Sequence, residues 1–200
     1  MYVRATGGSG ALQGAPSHRG WRLGGDAAWA PNSCPMGNIR RRGYLPHIES
    51  PGRPYMLTYR RHAQRTVNLG RSGPAHLIEN TLLCRQRVDY DLFAWCVMPD
   101  HVHLVLLPLR GLRLPDILKY IKGYSARRIN RSLGRTGSLW QEETYDSIIH
   151  SDRQRDEAVE YVVSNPVRAG LCARVDDWRW SSAGYVAQIH RGLYGPWQWP

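Results

Sequence analysis

The chain has 200 residues, long enough for one domain with a full core, and carries Lys+Arg 27 against Asp+Glu 16, a net charge of +11 and a pI near 10.0. That balance favours a polyanionic partner, nucleic acid before an anionic membrane, and no apolar run approaches the roughly 20 residues of a membrane span. The four cysteines, Cys34, Cys84, Cys96 and Cys172, are scattered without a CxxC pair, which excludes a zinc site or a disulfide frame and reads as mostly buried, reduced thiols of a cytoplasmic protein.

Residues 1–37 are dominated by Gly, Ala, Ser and Pro without periodicity, and are predicted to be a disordered or non-native extension. Met36 opens a segment that reads as a normal beginning, and the start of the chain has no secretory leader pattern. GNIRRRGYLPHIESPGRP is a basic, turn-rich arm with Arg40, Arg41 and Arg42 in a row, and PYMLTYR (54–60) is a first strand. Leu77, Ile78, Leu82 and Leu83 at helical spacing predict a helix over 74–86. YDLFAWCVM (90–98) and HVHLVLLP (101–108) are strands that return on each other through a Pro99-Asp100 turn.

A long amphipathic helix follows at 114–133, buried through Leu114, Ile117, Leu118 and Ile121. A short strand is expected at 145–149. Ser151 and Gln154 make a capping box for another helix, which Asn165-Pro166 bends or ends near Ser164. The tail from 188 to 200 is rich in aromatic residues with little periodicity, leaving 38–187 as the domain. Strand, helix, strand hairpin, helix, strand, helix is an α+β order whose natural solution is a ferredoxin-like antiparallel sheet with packed helices.

Two strand residues apart, His101 and His103 share a face about 7 Å from one another and can reach one divalent metal. An isolated pair of this kind is as readily two histidines held by backbone carbonyls. Tyr161 and Asn165, four apart, share a helix face; Asn offers a carbonyl oxygen that suits Mg²⁺ or Mn²⁺ beside nitrogen donors, while Tyr161 alone reads equally as a core aromatic. Tyr124 and Tyr145 are rival tyrosines, but Arg128 and Ile149, not amides, stand four residues after them. On the helix near 113–135, Arg113, Lys119, Lys122, Arg127, Arg128, Arg131 and Arg135 face a single acid, Asp116, which suits phosphate contact. Trp140, Trp178 and Trp180 are either core residues or platforms for unpaired bases.

MPDHVHLVL, the basic helix, GSLWQEETYDSII, EYVVSNPVRAGL and DWRWSS together resemble the single-tyrosine HUH transposases, on the REP-associated tyrosine transposase branch. The resemblance spans roughly residues 38–186. It implies a ferredoxin-like HUH nuclease fold, with His101, His103 and Asn165 as ligands of Mg²⁺ or Mn²⁺ and Tyr161 as the nucleophile. It further implies single-stranded or hairpin DNA as partner, bound by Arg40, Arg41, Arg42, Lys119, Lys122, Arg127, Arg128 and Arg131, with no membrane and no small-molecule cofactor, in a monomer or homodimer. The implied activity is that of an endonuclease and strand transferase on repeated palindromic elements. A catalytically inactive nucleic-acid binder of the same fold and an RNA-acting nuclease are the alternatives.

Overall fold

The computed structural model of the chain describes residues 38–42, 45–64 and 66–191, with side chains from residue 50 onward. The predicted extension at 1–37, with Met36 and Cys34, lies outside them, as do tail residues 192–200. The described chain opens on a hairpin, β1 (Asn38–Arg42) paired antiparallel with β2 (Leu45–Glu49), where the sequence predicts only an arm. Neither strand carries a clean apolar alternation, so pairing by backbone hydrogen bonds leaves little trace in hydropathy.

The core sheet is built from β3 (Tyr55–Arg61), β4 (Tyr90–Val97), β5 (His101–Pro108) and β6 (Trp140–Ile148), separated by α1 (Ser72–Leu83) and α2 (Leu114–Ser132). Its order is β4-β5-β3-β6, antiparallel throughout, which is the predicted ferredoxin-like arrangement with β5 and β3 inside. Alternation sets the faces. Tyr55, Leu57 and Tyr59 of β3 and Val102, Leu104 and Leu106 of β5 are buried with Ile78, Leu82, Ile121 and Ile129 of α1 and α2. On β4 a register shift between Leu92 and Ala94 lets Leu92, Trp95 and Val97 all join that core despite their uneven spacing.

β6 is nine residues rather than the short strand expected at 145–149, because Glu142 and Glu143 on an edge strand hide its periodicity; only Trp140 and Thr144 are buried. The sheet's other face is covered by α3 (Asp152–Arg168), whose Ala158 and Val162 pack on Ala94, Cys96 and Val105. Ser151 caps it by accepting from the Gln154 backbone N–H at 3.2 Å, while Gln154 Oε1 accepts from the His150 N–H at 2.8 Å, one residue earlier than the usual reciprocal box. The helix does not stop near Ser164 but passes through Pro166 to Arg168. In the last turn a proline removes one helical bond, to the Val162 carbonyl, and this one buries its ring.

A 3-10 turn (Val175–Asp177) leads to α4 (Ser182–His190), an element that the small residues Ser182, Ala183 and Gly184 do not announce. The segment before α4 docks along β4: the Val97 N–H donates to Trp180 O at 2.7 Å, and Trp178 Nε1 donates to Val97 O at 3.1 Å. Trp140 and Trp180 are buried in the core and Trp178 packs against it, so all three serve packing. Of the described cysteines only Cys96 is fully buried, Cys84 and Cys172 being half-buried, and all three are free thiols. Among the described residues no helix is long and apolar enough to cross a membrane.

Candidate active site

Because β5 is central, both of its faces must be filled or satisfied. Val102, Leu104 and Leu106 fill one; His101, His103 and Val105 occupy the face beneath α3. The turn that starts the strand is closed by Met98 N–H donating to His101 O at 2.8 Å, which places the histidine pair at the end of the sheet. The two Nε2 atoms converge to 3.0 Å. Two nitrogens each about 2.1 Å from a common ion, at a right angle, stand about 3 Å apart, so the pair fits two adjacent positions of one divalent cation.

Each ring is held from behind. His101 Nδ1 lies 2.6 Å from Asp100 Oδ1, and an ionised carboxylate only accepts, so Nδ1 donates there and Nε2 is the nitrogen turned toward His103. Asp100 in turn accepts from Arg60 Nη1 at 3.0 Å. Burial alone would raise the Asp100 carboxyl, but the bond to His101 and the charges of His101, Arg60 and Arg61 outweigh it and hold the group below its ordinary value. His103 Nδ1 lies 2.7 Å from Thr58 Oγ1, directly across the strand pair. That hydroxyl serves either tautomer, accepting from Nδ1–H when Nε2 must offer a lone pair. Burial, then the charges of His101 and Arg60, push the His103 imidazole down to about 4, which keeps it neutral and fit to ligate near pH 7. Thr58, Asp100 and Arg60 are the supporting residues that pattern reading missed. Their signals were the Thr-x-Arg of the first strand and the acid of the Pro99-Asp100 turn.

α3 brings Tyr161 to the same point. Its ring centre is 5.7 Å from that of His103, edge to face, and the residue is 37% exposed, so it is reachable from solvent. Arg168, two turns on, sets its guanidinium 5.2 Å from the Tyr161 ring centre and adds positive charge where a phosphate would approach. Asn165 Nδ2 donates to the Tyr161 carbonyl at 2.7 Å, which fixes the amide one turn beyond Tyr161 and leaves Oδ1 outside that bond. Among the described residues no group of three or more His, Cys, Asp or Glu side chains gathers to hold an ion.

The basic residues divide. Arg40, Arg41 and Arg42 form part of β1, and their side chains lie outside the described ones. On α2, across the sheet from the histidines, Lys119, Arg127 and Arg131 are exposed. Arg128 covers the Tyr124 ring at 5.6 Å, and Tyr124 stacks on Tyr120. Lys122 is committed to β6, donating to Glu142 O at 2.9 Å and Thr144 Oγ1 at 3.1 Å. Of the rival tyrosines, Tyr124 is on that far face. Tyr145 shares the histidines' face, one strand beyond Thr58.

A sequence profile of the family described as Transposase IS200 like matches residues 72–165, which run from α1 through both histidines to Tyr161 and Asn165. A Haemophilus influenzae protein named for the REP-associated tyrosine transposases is 28% identical over 107 residues, 48% of this chain and 61% of its own length. The REP-associated tyrosine transposase of Escherichia coli K12 is 27% identical over 106 residues, 52% of this chain and 60% of its own. The ISDra2 transposase TnpA of Deinococcus radiodurans is 35% identical over 74 residues, 34% of this chain and 52% of its own. The chain thus matches about three-fifths of the first two relatives' length. A solved structure of a REP-associated tyrosine transposase bound to a REP hairpin superposes with a TM-score of 0.57 at 22% identity, covering 82% of this chain and 92% of that one, a likeness of fold. Over about half its length the chain is thus a distant homologue of the IS200-like and REP-associated tyrosine transposases.

Proposed function

We propose that the protein is a metal-dependent, single-strand DNA endonuclease and strand transferase that acts on hairpin-forming repeats through a 5′-phosphotyrosine. The observation that carries this reading is the convergence of two Nε2 atoms 3.0 Å apart with an exposed tyrosine whose ring centre is 5.7 Å from His103. His101, His103 and Asn165 would hold Mg²⁺ or Mn²⁺, which, when bound, neutralises charge on the phosphate and steadies the leaving oxygen. Asp100 and Thr58 fix the two imidazoles, and Arg168 draws the phosphate toward Tyr161.

The Tyr161 oxygen attacks phosphorus, the bond from phosphorus to the 3′ oxygen breaks, and the proton lost by the phenol is balanced by the one gained at the new 3′-OH. A phenol, whose ordinary pKa is about 10, is a weak nucleophile unless its target is polarised, which a cation beside it provides. The phosphotyrosine conserves the bond energy, so a second 3′-OH can reverse the reaction and join new ends.

The hairpin substrate follows the E. coli-type relatives and the hairpin-bound neighbour, and is part of the proposal. Incubation with an end-labelled single-stranded hairpin oligonucleotide and Mn²⁺ should give a covalent adduct on a denaturing gel, lost in Tyr161→Phe. An undiminished adduct in that variant overturns the tyrosine. No adduct from the unaltered protein on DNA would favour the non-catalytic binder, and an adduct on RNA alone the RNA-acting reading.

A further inference from the structure

The face beneath α3 is covered unevenly. Cys96, His103, Thr58 and Tyr145 lie in one cross-strand row over β4, β5, β3 and β6. Along that row exposure climbs from 0% at Cys96 and 5% at His103 to 56% at Tyr145. α3 packs on β4 and β5, while the β3 and β6 half carries half-buried Met56 and Thr58 and exposed Arg60 and Ser147. Among the described residues His103 therefore stands at the border of a roofed half and a more exposed shelf. A strand whose phosphate meets His101, His103 and Tyr161 can continue onto that shelf.

Tyr145 is the most exposed large hydrophobic side chain among the described residues. The other described tyrosines are used: Tyr120 and Tyr124 stack on each other between Arg85 and Arg128, and Tyr161 has His103 and Arg168. Tyr59 meets Trp140, Tyr185 meets Trp95, and Tyr55 and Tyr90 donate to backbone carbonyls. Among the described residues no ring or guanidinium is recorded on Tyr145, and the edge strand gains little from leaving a large aromatic in water. Two strand spacings put it roughly 10 Å from His103, comparable to the distance between a phosphate and the far edge of its own base.

We propose that Tyr145 is a stacking platform for the base of a nucleotide flanking the scissile phosphate, a nucleobase subsite that rests on the nuclease reading above. Stacking there would hold the unpaired strand on the shelf with its backbone turned toward the histidines, and would tolerate any base because each has a flat face.

The test reads binding, so it stands apart from the adduct assay. Dissociation constants are measured for the unaltered protein, Tyr145→Ala and Tyr145→Phe on single-stranded oligonucleotides spanning the cleavage position, with each base removed in turn to leave an abasic site. Tyr145→Ala should weaken binding about tenfold and Tyr145→Phe less than about twofold, because the ring and not the hydroxyl makes the contact. Removing one particular base should weaken the unaltered protein by the same factor and the alanine variant no further. Alanine binding like tyrosine, phenylalanine as weak as alanine, or losses that multiply at every abasic position would each overturn the subsite. A missing adduct from the unaltered protein would instead count against the nuclease reading, leaving these binding constants to judge the platform.

Discussion

What a histidine pair can do depends on what stands behind it. His101 and His103 could each satisfy a ring nitrogen on any nearby carbonyl; here Asp100 and Thr58 take the Nδ1 positions and turn both Nε2 atoms inward to 3.0 Å. Thr58→Val keeps the shape of the side chain and removes the hydroxyl, so the His103 ring loses its anchor while the sheet stays packed. Mn²⁺ affinity, followed by isothermal titration, should fall about 10- to 100-fold. Affinity equal to the unaltered protein's would show that burial alone orients the ring. The spacing of the pair was legible in the sequence, where Thr58 shows only as a residue of the first strand. That these two features meet across a strand register was not, because register is a long-range choice.

At the scale of elements, strong periodicity was readable and irregular packing was not. α1, α2 and the hairpin of β4 and β5 stand within a few residues of their predicted bounds because apolar residues recur at helical or strand spacing. α4 escapes such a reading: of its buried residues Ser182, Ala183, Gly184 and Tyr185 only the last is large, and the Trp178 loop lies against Gly184. A Cβ on Gly184 would run into the Trp178 carbonyl, and the same turn is closed by Ser181 Oγ, which donates to that carbonyl at 2.9 Å and accepts from the Gly184 N–H at 3.1 Å. Gly184→Ala should therefore cost about 3 kcal/mol in a urea unfolding curve, since backbone and not a flexible side chain must move. An unchanged midpoint would mean that the Trp178 loop yields freely. Helix α3 shows the opposite case, where a strong local signal, Asn165-Pro166, was outweighed by tertiary packing that buries the Pro166 ring.

Over the whole molecule the sheet separates two kinds of surface. One face carries the histidines, Tyr161 and the open shelf; the other carries α1 and α2 with exposed Lys119, Arg127 and Arg131. A DNA strand bound at both would release counterions at both. Plots of log affinity against log salt for a single strand should thus become shallower by about 1.4 in the double variant Arg127→Ala, Arg131→Ala, from roughly 0.7 per phosphate neutralised. An unaltered slope would confine binding to the histidine face and leave α2 a solvated helix. The net charge of +11 suits a polyanionic partner without saying which face would meet it.

By itself the sequence determined the order of the elements, the His-x-His on a central strand and the tyrosine and amide one helical turn apart. All of these are local, written in periods of two and of 3.6 residues. Only the tertiary structure decided that α3 roofs half of the sheet and leaves the rest open, that Thr58 and Asp100 aim the imidazoles, and that Tyr145 lies bare beside them. Those facts depend on strand order and on where a helix lands after a turn, which are set by burial of the whole core and have no spacing of their own along the chain.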